Sequence, residues 1–214
     1  MGQLLGRVLP LAFMAAVSPT IFLATVVLLT RSRPVFRAGI FTIGTAIPLL
    51  AIGVLVGVAF RSMTLDSKST LSASIDVAAG TVLVLAAAFT ALRPARPRED
   101  KPPSDPRPLL GFLGGVALMA TNFSTLLPFT VAVKDIALSD AGQTAEITTF
   151  ALAVVIVLIP AWVPLAMTVV VPSGSEVLLG RLRTFLDRYG KWFMVGVLGL
   201  IGIYLLVRGL PALI

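Results

Sequence analysis

Apolar residues gather along the chain into six long stretches, at 8–30, 38–60, 75–92, 109–133, 147–171 and 192–210, separated by short polar or basic segments. A helix needs about 20 mostly apolar residues to cross the hydrocarbon core of a bilayer, and each stretch is close to that length or beyond it. They are apolar on all sides rather than amphipathic, as expected of helices surrounded by lipid and by one another. The pattern predicts an all-α membrane protein with six transmembrane helices. In the first stretch Arg7 precedes the apolar run, and Ala15, Ala16, Val17 and Ser18 offer the small residues of a leader-cleavage site. The apolar character continues to Leu29, which favours a retained helix over a cleaved leader.

Breaks in this pattern carry the most information. Ser18-Pro19-Thr20 interrupts the first span. Proline removes a helical hydrogen bond and clashes with the preceding turn, and in lipid the freed backbone groups must face protein or a water-filled cavity. The fourth span has a counterpart in Thr121, Asn122, Ser124 and Thr125, followed by Pro128. Burying such groups unpaired costs roughly 2–7 kcal/mol each by transfer measures, so they must pair with each other, with the other half of the chain, or with a passing solute. Interrupted helices at corresponding positions of two halves point to a transporter binding site; interhelical hydrogen-bond glue is the structural alternative. The expected substrate-binding set is Ser18, Pro19, Thr20, Thr45, Thr121, Asn122, Ser124 and Thr125. Thr42, Thr45 and Pro48 predict a break in the second span, and Pro160, Pro164 and Pro172 in the fifth. Pro48, Pro128, Pro160 and Pro164 are candidate hinges, with static kinks as the other reading.

Charge sets the topology and narrows the function. The chain is 57% hydrophobic and 13% charged, against roughly 25% charged for a soluble domain. Twelve of its seventeen Lys and Arg residues fall in the first, third and fifth loops (Arg31, Arg33 and Arg37; Arg93, Arg96, Arg98, Lys101 and Arg107; Arg181, Arg183, Arg188 and Lys191). The positive-inside rule places those loops in the cytoplasm and both termini outside. It also accounts for the net charge of +7, so a nucleic-acid partner is not expected. With no Cys and no His, thiol chemistry, the usual general base and the usual transition-metal ligand are all missing. No G-x-x-x-x-G-K-[ST] loop occurs. An enzyme is not expected, nor a metal site or cofactor. Few charges lie near the spans. Asp76 and Asp135 are the candidate coupling-ion carboxylates, with a span-end role as the alternative for Asp76 and for the Lys134–Asp135 pair. Arg61 reads as a boundary residue.

The segment 93–108, rich in proline and charge, predicts an extended cytoplasmic linker. It divides the chain into 1–92 and 109–214, each with three spans. An odd number of spans per half forces opposite insertion, the arithmetic of two inverted three-helix repeats. Within the second half, Ser173-Gly-Ser-Glu176 is a capping-box pattern. Leu178, Leu179, Leu182, Phe185 and Leu186 follow at helical spacing, predicting a short amphipathic interfacial helix over about 175–190. Its basic side suits anionic membrane lipids. Gly53-x-x-x-Gly57 and Gly111-x-x-x-Gly115 match the small-residue packing motif, which fits a homo-oligomer and intramolecular packing equally.

The Ser18-Pro19 break, Gly39 and Gly44 in the second span, the basic hydrophilic loop, the polar break at Asn122 and the end Gly199-Leu-Ile-Gly202-Ile-Tyr-Leu-Leu-Val-Arg208-Gly209 together resemble the lysine-exporter superfamily. Within it the chain looks most like the sulfolipid- and glycopeptidolipid-addressing proteins. The resemblance implies six helices in two repeats, residence in a bacterial-type plasma membrane, and export of amino acids, ions or cell-envelope lipids. The family's serine-proline motif carries onto Ser18 and Pro19. Its second motif is usually asparagine-proline, whereas here Phe123 follows Asn122 and proline comes only at Pro128. The expected function is gradient-coupled export, by alternating access, of a small solute or an envelope-lipid precursor. A non-transporting accessory protein of lipid export is the alternative.

Overall fold

The computed structural model describes residues 2–62, 65–92 and 108–212, and all regular structure among them is helical. Nine α-helices follow in order among the described residues: α1 (Gly2–Ala16), α2 (Pro19–Leu29), α3 (Pro34–Arg61), α4 (Leu65–Leu92), α5 (Pro108–Ala120), α6 (Phe123–Ala137), α7 (Gln143–Val157), α8 (Ile159–Val170) and α9 (Pro172–Gly209), with a short 3-10 turn at Leu210–Ala212. The expected linker lies outside the described residues, apart from Pro108, which opens α5.

Three segments, Pro34–Phe60, Leu71–Leu92 and Arg188–Gly209, are each long and apolar enough to cross a membrane alone. The pairs α1–α2, α5–α6 and α7–α8 are bent by 54°, 68° and 68°. Counting each bent pair as one span gives six, in the places the apolar pattern predicts. The exposed surface is rich in large apolar side chains, including Leu55, Leu85, Leu200 and Val207, as a lipid-facing surface must be.

Proline alone does not decide where a helix breaks. The expected break in the second span does not occur: α3 runs through Pro48 without interruption. Thr42 and Thr45 donate their hydroxyls to carbonyls of α3 itself, those of Ala38 (2.8 Å) and Thr42 (2.7 Å). Helices α6 and α8 likewise continue through Pro128 and Pro164. The fifth span bends at Leu158, and Pro160 then sits in the first turn of α8, where its missing N–H has no helical partner to lose. The segment expected as a separate interfacial helix is helical but continuous with the last span. Helix α9 has 38 residues, about 57 Å at 1.5 Å per residue, so it extends well past a hydrocarbon core of about 30 Å.

Glycines set the tightest contacts. Helices α4 and α9 pack antiparallel: a Cβ added at Gly80 would lie 2.8 Å from the Gly202 carbonyl oxygen, and one added at Gly202 would lie 2.8 Å from that of Gly80. Helices α3 and α5 also cross closely, since a Cβ at Gly44 would overlap the Phe112 carbonyl and one at Gly115 that of Phe41. The buried core runs along α1 and α6 (Val8, Leu11, Ala12, Phe129, Val131 and Ala132) and reaches α9 at Ile201 and Leu205.

Candidate functional site

The two predicted breaks meet. Helix α1 ends at Ala16, and Ser18, with φ −130° and ψ 89°, leaves the helical conformation and caps α2, whose first residue is Pro19. Helix α5 ends at Ala120, and Asn122 (φ −87°, ψ 74°) caps α6 with its carbonyl, which accepts from the Thr125 and Leu126 amides at 3.0 and 2.9 Å. The Asn122 Nδ2 donates to Ser18 Oγ at 2.7 Å, and Ser124 Oγ donates to Asn122 Oδ1 at 2.6 Å. A longer contact runs from the Ile21 amide to Ser18 Oγ (3.5 Å). Ser18 is buried. One asparagine amide thus joins the two kinks, using its donor toward one half of the chain and its acceptor toward the other. No proline is needed after Asn122, because the first amide of a helix has no intrahelical partner.

The other predicted binding residues are placed differently. Thr20 and Thr121 are exposed, and Thr121 donates to the carbonyl of Ala117 in the preceding helix α5 at 2.8 Å. Thr45 is buried at the α3–α5 crossing, with its hydroxyl committed within α3. Thr125 is fully buried one turn into α6, and its hydroxyl has no hydrogen-bond partner among the described residues.

A second polar centre lies at the far end of α6. Lys134 is 0% exposed and Asp76 and Asp135 are 3% and 7% exposed. Lys134 Nζ pairs with Asp76 Oδ1 and also donates to the Ser72 carbonyl at 3.1 Å. Arg208 grips Asp135 with both terminal nitrogens, Nη1 to Oδ2 at 2.7 Å and Nη2 to Oδ1 at 2.6 Å. Its Nε lies 3.5 Å from Asp76 Oδ2, and Lys134 Nζ lies 3.8 Å from Asp135 Oδ1. Two carboxylates and two cations from α4, α6 and α9 thus form a neutral, interlocked cluster. The planar guanidinium suits this bidentate, side-by-side grip. Asp76 lies near the start of the apolar segment Leu71–Leu92, and Lys134 and Asp135 lie at the end of α6. Helix α4 begins at Leu65, so Asp76 is well inside it, and all three side chains are buried against one another.

A cavity of about 540 Å³ opens beside this cluster, lined by Gln3, Arg7, Ser72, Asp135, Ser139 and Arg208 among others. Helices α1 and α6 connect it to the kinks. Helix α1 has Gln3 and Arg7 at the cavity and ends beside Ser18; α6 starts beside Asn122 and reaches the cavity at Asp135. At 1.5 Å per residue both cover about 20 Å, antiparallel and packed together. Sequence reasoning singled out Asp76 and Asp135, but it gave Arg208 no role in a charged site and found neither ion pair. The available signal was numerical: two acids and two bases near the ends of the third, fourth and sixth spans, where unpaired charge is costly.

Neither any curated protein nor any solved structure matches the chain. One family does match, over residues 8–211, and on that match this membrane protein belongs to the sulfolipid-1-addressing protein family.

Proposed function

We propose that the protein exports a cell-envelope lipid or its precursor by alternating access, and that the joined kinks at Ser18 and Asn122 form the gate and polar subsite of its path. The observation that carries this reading is the 2.7 Å hydrogen bond between two broken spans 104 residues apart. Broken helices at corresponding places in two halves are how secondary transporters bring polar backbone to mid-membrane. Two inverted three-helix repeats, as in the lysine-exporter superfamily, would account for the paired breaks and for the antiparallel packing of α4 on α9. The buried Thr125 hydroxyl beside the kink has no partner among the described residues and would offer a hydrogen bond to a substrate once the kinks part.

In this reading the structure is closed at the kinks and open at the cavity. The cavity lies at the ends of α1, α6 and α9 away from Arg31, Arg33 and Arg37, so the positive-inside rule makes it the outer side. Asp76 and Asp135 would couple transport to a cation gradient by exchanging partners with Lys134 and Arg208. Pro128, Pro160 and Pro164 lie in or beside the bent pairs and would let the half-helices tilt.

The accessory reading draws on one observation too: Ser18, Asn122 and Ser124 satisfy one another, as structural glue would. Reconstitution separates the two. Purified protein in vesicles holding a headgroup-labelled glycolipid should move label across the bilayer, and Asn122→Ala or Ser18→Ala should slow it by an order of magnitude, as loss of an interaction worth ~1.4 kcal/mol would. Wild-type protein that moves no lipid, amino acid or cation supports the accessory role. Unchanged transport in both variants removes the kinks from the path.

A further inference from the structure

On the opposite face of α6 from the ion cluster, α3, α6 and α7 enclose an apolar groove of about 310 Å³, lined by Gly53, Gly57, Val58, Ile136, Glu146 and Phe150 among others. We propose that this groove is a binding site for a single acyl chain of a bilayer lipid, held along α3 with the lipid's headgroup at the Glu146 end.

Three features select that occupant. The walls belong to apolar, membrane-length helices, and their rims Val54, Val58 and Ile147 are 64%, 63% and 59% exposed. In a bilayer such a face meets only hydrocarbon. Glu146 lies in the first turn of α7, which sets that end at the boundary with water and gives the groove a polar mouth and an apolar depth. The motif Gly53-x-x-x-Gly57 would otherwise suggest a second copy of this chain, since paired glycines admit a partner helix's backbone. Here the Phe150 ring already occupies the space over Gly53 and is braced by Phe129, with ring centroids 6.2 Å apart. A partner helix's backbone could pack there only if the Phe150 ring moved aside. Gly57 is open, with nothing within 4 Å of a Cβ, and a flexible chain narrower than a helix fits what remains. The site stands whether or not the protein transports lipid.

The test uses the full chain in nanodiscs doped with phosphatidylglycerol bearing a photoactivatable diazirine on one acyl chain. Adducts should concentrate on the groove peptides of α3 and α7. Their yield should saturate as the probe's mole fraction rises, a wild-type measurement that needs no variant. Gly57→Leu adds side-chain volume at a position where a Cβ meets nothing within 4 Å and should cut groove labelling on the order of tenfold, the change expected when a few methylene contacts are lost. Gly196→Leu, at an equally open glycine of α9, should leave it unchanged. Labelling that rises linearly with probe, or that ignores Gly57→Leu, overturns the proposal. So does a wild-type dimer that Gly57→Leu converts to monomer, which would assign the groove to a second copy.

Discussion

Replacing Lys134 with methionine probes the ion cluster directly. The wild-type cluster is neutral, with Asp76 and Asp135 against Lys134 and Arg208. Methionine keeps much of the lysine's apolar volume but leaves two carboxylates against one guanidinium and takes the donor from the Ser72 carbonyl. Breaking a buried pair by removing one partner costs about 3–5 kcal/mol, because the other charge is stranded away from water. For a chain of this size that corresponds to a fall in Tm on the order of 10 °C. Adding Asp76→Asn to Lys134→Met removes the stranded charge and leaves Asp135 in the bidentate grip of Arg208. The double variant should therefore be more stable than Lys134→Met alone, with a coupling energy of about 2 kcal/mol, inside the 0.5–3 kcal/mol range for touching residues. Thermal unfolding of the two single variants and the double, read by size exclusion in one detergent, gives the cycle. Additivity to within about 0.5 kcal/mol would mean that Lys134 and Asp76 do not pair in the folded protein.

Three further outcomes follow from the packing and the kinks. Asn122→Ala should cost about 1–3 kcal/mol by removing the amide donor to buried Ser18 Oγ and the acceptor of the Ser124 hydroxyl; Ser18→Ala added to it should cost little more, because the shared bond is already gone, and a thermal double-mutant cycle reads the difference. Thr125→Val should raise Tm, since it removes a buried hydroxyl with no partner among the described residues, while slowing export in the vesicle assay; a variant both less stable and fully active would contradict both halves of that expectation. Gly80→Leu should destabilise by at least the ~1–3 kcal/mol typical of overpacking, because its Cβ would press on the Gly202 carbonyl, whereas Gly196→Leu should change Tm by no more than ~0.5 kcal/mol would.

The apolar pattern located the three single helices and the three bent pairs that can count as spans, because length and hydropathy are local properties that packing does not alter. It also located the break at Ser18-Pro19, where sequence and backbone requirement coincide. It failed at Pro48, and it looked to Pro128 for a proline that the break at Asn122 does not use. A proline's effect depends on whether the surrounding helix can continue past the missing amide, which is a tertiary matter; Asn122, with a long-range partner 2.7 Å away, breaks its helix without one. The ion cluster was half legible. Asp76 and Asp135 stood out as acids near apolar spans, but their pairing depends on α4 beginning ten residues before the predicted third span, at Leu65, and on α9 running antiparallel to it. Neither fact is a property of any single window of sequence.

The two polar centres are mechanically joined, and this limits how either can act. Helices α1 and α6 each have one end at the kinks and the other at the cavity, and the buried core between them, including Val8, Leu11, Phe129 and Ala132, is close-packed rather than deformable. Separating Ser18 from Asn122 by tilting one of these helices must displace its other end. For α6 that end carries Lys134 and Asp135, so the displacement strains contacts to Asp76 on α4 and Arg208 on α9. Opening the kinks and loosening the ion cluster thus draw on a shared free energy, and coupling of this kind is reciprocal. Lys134→Met, which weakens the cluster, should make the Asn122–Ser18 contact easier to open. A cysteine at position 18, introduced as Ser18→Cys, should then react faster with a membrane-permeant maleimide when Lys134→Met is added. Equal rates in the two backgrounds would show that the cluster and the kinks move independently, and alternating access through α1 and α6 would lose its physical basis.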